Sequence, residues 1–178
     1  MKVVAFAGSN SQNSINKALV SYVLTHFEGQ EIDFLDLNDY DIPLYSIDRE
    51  KKEEIPQEVH QFIEKLGDAD LIITSLAEHN GTYTAVFKNL LDWSSRINLK
   101  FFADTPLLLL STSPGGYGGG NVMEAAKKRF PKFGANIKAT FSLPNFKDNF
   151  DTVTGITNSD LKNELLNKIN QVKKDIGM

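Results

Sequence analysis

Short apolar runs alternate along the chain with longer stretches whose apolar positions recur every three or four residues. The runs are Lys2–Ala7, Glu31–Leu37, Leu71–Ser75, Pro106–Leu110 and Asn136–Phe141. In three of them (Val3-Val4-Ala5-Phe6, Leu71-Ile72-Ile73, Leu107 to Leu110) consecutive positions are apolar. Successive strand residues point to opposite faces, so an unbroken apolar run predicts a strand covered on both sides, as in a parallel sheet. The second run differs. Ile32, Phe34 and Leu35 alternate with Asp33 and Asp36, which predicts a strand at or near an edge.

Five helical stretches lie between and after the runs. Leu19, Tyr22, Val23 and Phe27 form one apolar stripe. Val59, Phe62, Ile63 and Leu66 form another, opened by Pro56 in a first turn where a missing N–H costs nothing. Val86, Leu90, Trp93 and Ile97 mark the third, widened by Phe87 and Leu91, and place Trp93 in the core. The fourth runs from Val122 to Phe130 and stops at Pro131. The last spans Asp160 to Ile176, with Asn158 or Ser159 as cap. Strand and helix therefore alternate five times. Right-handed crossovers turn that order into an α/β fold, a three-layer α/β/α sandwich around a parallel sheet. Five strands predict the flavodoxin-like order 2-1-3-4-5 rather than the six-stranded dinucleotide fold. Two long stretches, Asn38–Glu53 and Ser142–Thr157, read as irregular and so as functional or interfacial. The Lys51-Lys52-Glu53-Glu54 run reads as a solvated helix start.

Composition narrows the picture without changing it. At 178 residues, with 41% hydrophobic and 24% charged, the chain is an ordinary globular protein and reads as a single domain over 1–178. It has no cysteine, which removes disulfides, thiolate nucleophiles and Cys-based metal sites. Its net charge of −4 argues against nucleic acid or an anionic membrane as partner. Met1-Lys2 leads straight into the first strand rather than into a signal peptide, and no apolar run approaches the ~20 residues of a membrane span. The expectation is a cytoplasmic protein.

Chemistry is expected at the carboxyl ends of the strands, beside the first strand where the order reverses. The loop after the first strand is Gly8-Ser9-Asn10-Ser11-Gln12-Asn13-Ser14-Ile15-Asn16. Hydroxyls, amides and a helix N-terminus suit a phosphate, and equally suit a plain helix cap. It is neither a Walker loop nor GxGxxG. The loop after the third strand holds Ala77-Glu78-His79-Asn80-Gly81, where Asn80-Gly81 marks a tight turn. Such a turn can aim main-chain groups at the edge of a flat heterocycle, and His79 is either part of that site or a solvated surface residue. After the fourth strand come Ser113-Pro114-Gly115-Gly116-Tyr117-Gly118-Gly119-Gly120. So many glycines suggest close approach to a ligand, or else a flexible surface loop. The three histidines are scattered, so no metal site is expected, and Ser9 is not in a GxSxG elbow. No nucleophile or general base stands out, which favours a bound cofactor as the chemical agent.

Taken together, these loops resemble the NADPH-dependent FMN reductase family, the flavodoxin-like quinone, azo and chromate reductases. The family's first loop, roughly GSxRxxSxN, is matched from Gly8 to Asn16 except at Ser11. Its second, PEYNGSxPxxLKNxxDW, is similar to Ala77–Trp93, which keeps Glu78, Asn80-Gly81, Lys88-Asn89 and Asp92-Trp93. Asp36-Leu37 with Ile42-Pro43-Leu44-Tyr45 resembles the family segment that borders the dimer interface, and the similarity runs from Met1 to about Phe141. The resemblance implies an FMN cofactor, with NADPH or NADH as reductant and a small-molecule electron acceptor: quinone, azo compound, metal oxyanion or flavin. It also implies a homodimer or homotetramer. Ser9, Ser11, Ser14 and Asn16 would hold the FMN phosphate. Ala77, Glu78, His79, Asn80 and Gly81 would line the isoalloxazine, and Ser113, Gly115 and Gly116 would cover its other side. No acid–base residue is implied. Ser11 stands where the family has Arg, and His79 and Ala77 stand where it has Tyr and Pro. A protonated His79 imidazole beside the flavin would favour the reduced, anionic ring. The alternatives are a flavodoxin-type electron carrier and a flavin-free ligand-binding remnant.

Overall fold

The computed structural model describes every residue from Met1 to Met178. In chain order its first half holds β1 (Lys2–Gly8), α1 (Ile15–Leu24), β2 (Glu31–Leu35), α2 (Ile47–Lys52), α3 (Gln57–Gly67) and β3 (Leu71–Leu76). A small hairpin of β4 (Glu78–His79) and β5 (Thr82–Tyr83) follows, then α4 (Ala85–Ile97), β6 (Pro106–Thr112), α5 (Gly120–Arg129) and β7 (Asn136–Leu143). The chain ends with α6 (Phe146–Asn149), a second hairpin of β8 (Phe150–Asp151) and β9 (Gly155–Ile156), and α7 (Ser159–Asp175).

The long strands form one sheet in the order β2-β1-β3-β6-β7, all parallel, which is the flavodoxin-like 2-1-3-4-5 arrangement. Burial follows the hydrophobic pattern. β1 and β3 are buried along almost their whole length, whereas β2, at the edge, is largely half-exposed. On one face Phe6, Phe62 and Phe87 pack edge-on and tilted at 5.5 and 5.8 Å, under α3, α4 and α5. On the other, Leu19, Val23, Leu165, Ile169 and Val172 close α1 and α7 onto Val3, Ala5, Leu108 and Leu110. Fully burying each such side chain stabilises the fold by about 1.5–3 kcal/mol.

The stretches expected to be irregular are partly ordered. Asn38–Glu53 contains α2, whose six residues bury nothing, so no apolar stripe announces it. Lys51 and Lys52 end that helix, rather than opening the next, because Ser46 caps it six residues upstream and α3 waits until Gln57. Ser142–Thr157 contains the end of β7, α6 and the β8–β9 hairpin. Trp93 lies in the core as expected, fully buried, and its Nε1 donates to the Pro43 carbonyl at 2.8 Å. Asn89 joins it, donating to Pro43 O at 3.0 Å and accepting from Tyr45 N at 2.8 Å. The Asn89 and Trp93 side chains thus pin the 42–45 segment to α4. No helix is long and apolar enough to cross a membrane.

Candidate functional site

The strand ends carry a cavity of about 190 Å³ bounded by the loops after β1, β3 and β6. Its first wall is the entry to α1. Ser14 caps the helix, its hydroxyl accepting from Lys17 N at 3.2 Å, and Ser9 Oγ accepts from Ser11 N at 3.2 Å. Those bonds fold the loop into a concave turn. The N–H groups of Ile15 and Asn16, at the start of the helix, meet no acceptor in the chain. The first turn carries no carboxylate, so the positive end of the helix dipole stands open to an anion. Lys and Arg are absent from the lining, and the donors are hydroxyls and amides.

Asn16 fixes this wall to the sheet. Its Oδ1 accepts from Ser75 Oγ at 2.6 Å and Thr112 N at 3.1 Å, while Nδ2 donates to Thr112 O at 3.2 Å. One buried amide therefore ties α1 to the ends of β3 and β6. What Asn16 presents to the cavity is its main-chain N–H.

The second wall is Ala77–His79 with the β4–β5 hairpin. Asn80 and Gly81 form its tip, both at positive φ (51° and 80°), as the Asn-Gly turn predicts. Thr84 fastens the hairpin's far end: its hydroxyl caps α4 by accepting from Phe87 N at 3.3 Å and donates to Gly8 O at 2.9 Å. Glu78 fastens the near end. Its carboxylate accepts from Asn121 Nδ2 and from Val122 N, both at 3.0 Å, at the N-terminus of α5. The charge is aimed at the N-terminus of α5. His79 is exposed, and its imidazole lies along the rim without a hydrogen-bond partner in the chain. Below the hairpin, Tyr83 is buried with its phenol pushed up to about 12 by desolvation.

The glycine loop forms the third side, and it divides into two parts. Gly118 and Gly119 hold positive φ where a Cβ would press within 3.0 Å of Leu143, Pro144 and Ser111, so the fold itself requires them. Gly115 faces open space, and Gly116 has only the Asn145 amide, at 3.7 Å, near its missing side chain. Ser113 donates to Gly115 O at 3.3 Å.

Of the residues expected at the site, Ser9, Ser11, Ser14, Asn16, Ala77, Glu78, His79 and Ser113 line one cavity. Asn80 and Gly81 sit beyond its edge at the hairpin tip, and Gly115 and Gly116 lie past Pro114. Asn13, Ile15, Thr112 and Pro114 also line it and were not singled out from the sequence. They lie inside the loops read as functional, but nothing in their type separates them from ordinary turn residues. No group of three or more potential metal ligands exists anywhere in the chain.

Comparison with known proteins gives this geometry a context. The family model for NADPH-dependent FMN reductase matches residues 1–148. An uncharacterized protein of Mycoplasma pneumoniae is 29% identical over 154 residues, covering 84% of this chain and 90% of that one. The NADPH:quinone oxidoreductase of Arabidopsis thaliana is 32% identical over 124 residues, covering 67% of this chain but 61% of its own length. Among solved structures, the flavoenzyme NAD(P)H:(acceptor) oxidoreductase FerB of Paracoccus denitrificans superposes with a TM-score of 0.75. That match covers 97% of both chains at 20% identity, a likeness of fold.

Proposed function

The chain belongs to the NADPH-dependent FMN reductase family, and from that premise we propose that it binds FMN in the cavity at the strand ends and works as an NAD(P)H-dependent oxidoreductase on a small-molecule acceptor. The observation that carries this reading is the combination of unpaired first-turn amides at α1 with a tight main-chain turn across the cavity. A phosphate suits the first and a flat, polar-edged ring suits the second. When bound, FMN supplies the ring that takes hydride from NAD(P)H and passes reducing equivalents to the acceptor.

The chain's own part is to bind and orient. Ser9, Ser11, Ser14 and the N–H groups of Ile15 and Asn16 hold the phosphate. The 77–81 backbone reads the ring edge, and Ser113 with Gly115 and Gly116 covers the opposite side. No residue transfers a proton in this scheme. The Arabidopsis relative's name makes a quinone the first acceptor to try. The proposal includes a homodimer: the segment pinned by Trp93 displays Leu44 at 74% exposure, with Ile47 of α2 just beyond it at 50%, an apolar pair suited to a second copy. A cytoplasmic setting, where NAD(P)H is at hand, belongs to the same proposal.

The test is to mix the protein with FMN, desalt it, and add NADPH without oxygen. Retained yellow colour that bleaches on adding NADPH, and returns on adding a quinone, is the expected result. Colour that stays unbleached with either nucleotide makes the protein a carrier, and FMN washing through overturns the cofactor assignment. His79→Phe should slow bleaching. An unchanged rate would remove the imidazole from the scheme.

A further inference from the structure

Tyr83 of β5 lines a separate cavity of about 270 Å³, set between α4 and the C-terminal end of α5. It shares no lining residue with the cavity at the strand ends. Tyr83, Leu91 and Phe133 are buried and form its floor, while Lys88, Asp92, Ser95 and Arg129 make a more exposed rim. On α4, Asn89 and Trp93 face the 42–45 segment, and Lys88, Leu91, Asp92 and Ser95 form the adjoining stripe.

Two donors here have no acceptor in the chain. The Tyr83 hydroxyl is buried without a partner, on a residue only 9% exposed. Its ring is fixed, stacked on Phe130 at 6.1 Å and edge-on to Phe87 at 5.9 Å. Burial pushes the phenol up to about 12 and the Arg129 charge pulls against that, so the two groups feel one another. Near neutral pH the hydroxyl keeps its proton and meets an anion as a donor. Arg129, for its part, joins none of the chain's ion pairs. Its guanidinium carbon lies 4.5 Å from the Phe133 ring centroid, a contact that holds the group through its charge and not through its N–H donors.

The other rim groups narrow the class of ligand. Lys88 Nζ is held by both oxygens of Asp92, at 2.6 and 2.7 Å, so that pair cancels and Arg129 remains the net charge. Ser95 already donates its proton to Asp92 O at 2.9 Å. A ligand with a second negative charge would meet the Asp92 carboxylate. A planar carboxylate, by contrast, pairs with a guanidinium through two parallel bonds. Leu91, Phe133 and the Tyr83 ring offer apolar surface to a flat body, and the volume, just short of the drug-sized range, suits a single ring. We propose that this cavity binds a small aromatic monocarboxylate, with its carboxylate on Arg129 and the Tyr83 hydroxyl and its ring against Leu91 and Phe133. The site is independent of the flavin cavity.

The experiment is calorimetric titration with benzoate of the natural chain, Tyr83→Phe and Arg129→Gln, with melting temperatures recorded alongside. The natural chain should bind a single benzoate with a Kd below about 1 mM, and benzyl alcohol and inorganic phosphate roughly tenfold more weakly. Each variant should lose about tenfold in benzoate affinity. Tyr83→Phe should melt no lower than the natural chain, because the hydroxyl it removes has no partner to lose. A lower melting temperature would mean that the hydroxyl is bonded within the fold, and would overturn its assignment. Benzoate that fails to bind below about 10 mM, or that binds both variants as well as the natural chain, overturns the site. Displacement of benzoate by FMN would place it at the strand ends, and phosphate binding as tightly as benzoate would leave the apolar floor without a role; either result overturns the proposal.

Discussion

Across the cavity from one another, α1 and the β4–β5 hairpin are each held in place by a polar side chain, in opposite surroundings. Asn16 is 2% exposed and neutral, and its bonds run to Ser75 and Thr112 on the sheet. Glu78 is half-buried and charged, and its bonds run to a helix N-terminus that itself belongs to the glycine loop. A buried neutral network is costly to break and indifferent to salt. A solvent-reached carboxylate at a helix end contributes less and is screened by ions. The α1 side is thus a fixed cradle, and the hairpin side is two loops clasped by an adjustable tie. That division suits a site whose cofactor stays while substrates of different shapes come and go.

The largest effect should come from breaking the cradle. Asn16→Leu keeps the volume but strands the Ser75 hydroxyl and both main-chain groups of Thr112 without partners. Unfolding in urea should show a loss of about 3 kcal/mol, together with loss of FMN retention. A stable Asn16→Leu protein that keeps its flavin would show that the sheet, not this amide, positions the loop. Ser11→Arg works in the other direction. It adds a cation to a cradle that has none, and should tighten FMN by about 1–2 kcal/mol, roughly tenfold. Tighter binding of riboflavin, which lacks the phosphate, would place the arginine elsewhere.

Glu78→Gln sharpens the contrast from the other wall. The amide can still accept from one donor, but the charge facing α5 is lost. The expected cost is about 1 kcal/mol in stability at low salt, with FMN weakened severalfold. Raising salt should weaken the natural protein toward the variant and leave the variant unchanged. Equal salt responses would mean that the tie works through hydrogen bonding alone.

What could be read in advance follows the same division between local and distant. Strand order, the edge position of β2 and the three ligand-side loops are written in consecutive residues: unbroken apolar runs, alternation with Asp33 and Asp36, and clusters of Ser, Asn and Gly. The short helix α2 was not legible, because its residues are all at least partly exposed and leave no apolar period. Nor were the ties. Glu78 meets Val122 and Asn16 meets Thr112 across gaps of 44 and 96 residues, so only the assembled sheet makes them neighbours. The loop's run of glycines read as a whole as close approach to a ligand or a flexible loop, yet Gly118, Gly119 and Gly120 serve backbone geometry and the Tyr117 ring.

The residue after Asn16 offers the smallest and most controlled comparison, because helix α1 carries one tie of each kind side by side. Lys17 Nζ lies 2.6 Å from Asp36 Oδ2, joining α1 to the end of β2. The hydrogen bond from Lys17, followed by one from Asn38 N, holds the Asp36 carboxyl below the usual carboxylate range. A depressed carboxylate contributes stability that is complete above the unfolded value, about 3.9, and that disappears as pH falls through the lower folded value. Both side chains remain partly exposed, at 42% and 32%, so the whole contribution should stay below about 1 kcal/mol. Asp36→Asn should therefore cost that little at neutral pH and nothing under acid conditions where the natural carboxyl is protonated. Urea midpoints for the two proteins should accordingly converge as pH falls. The Asn16→Leu deficit should persist unchanged over the same range, since no proton enters that network. If the Asn16 deficit also closes in acid, the cradle owes its rigidity to charge after all, and the distinction between the two walls fails.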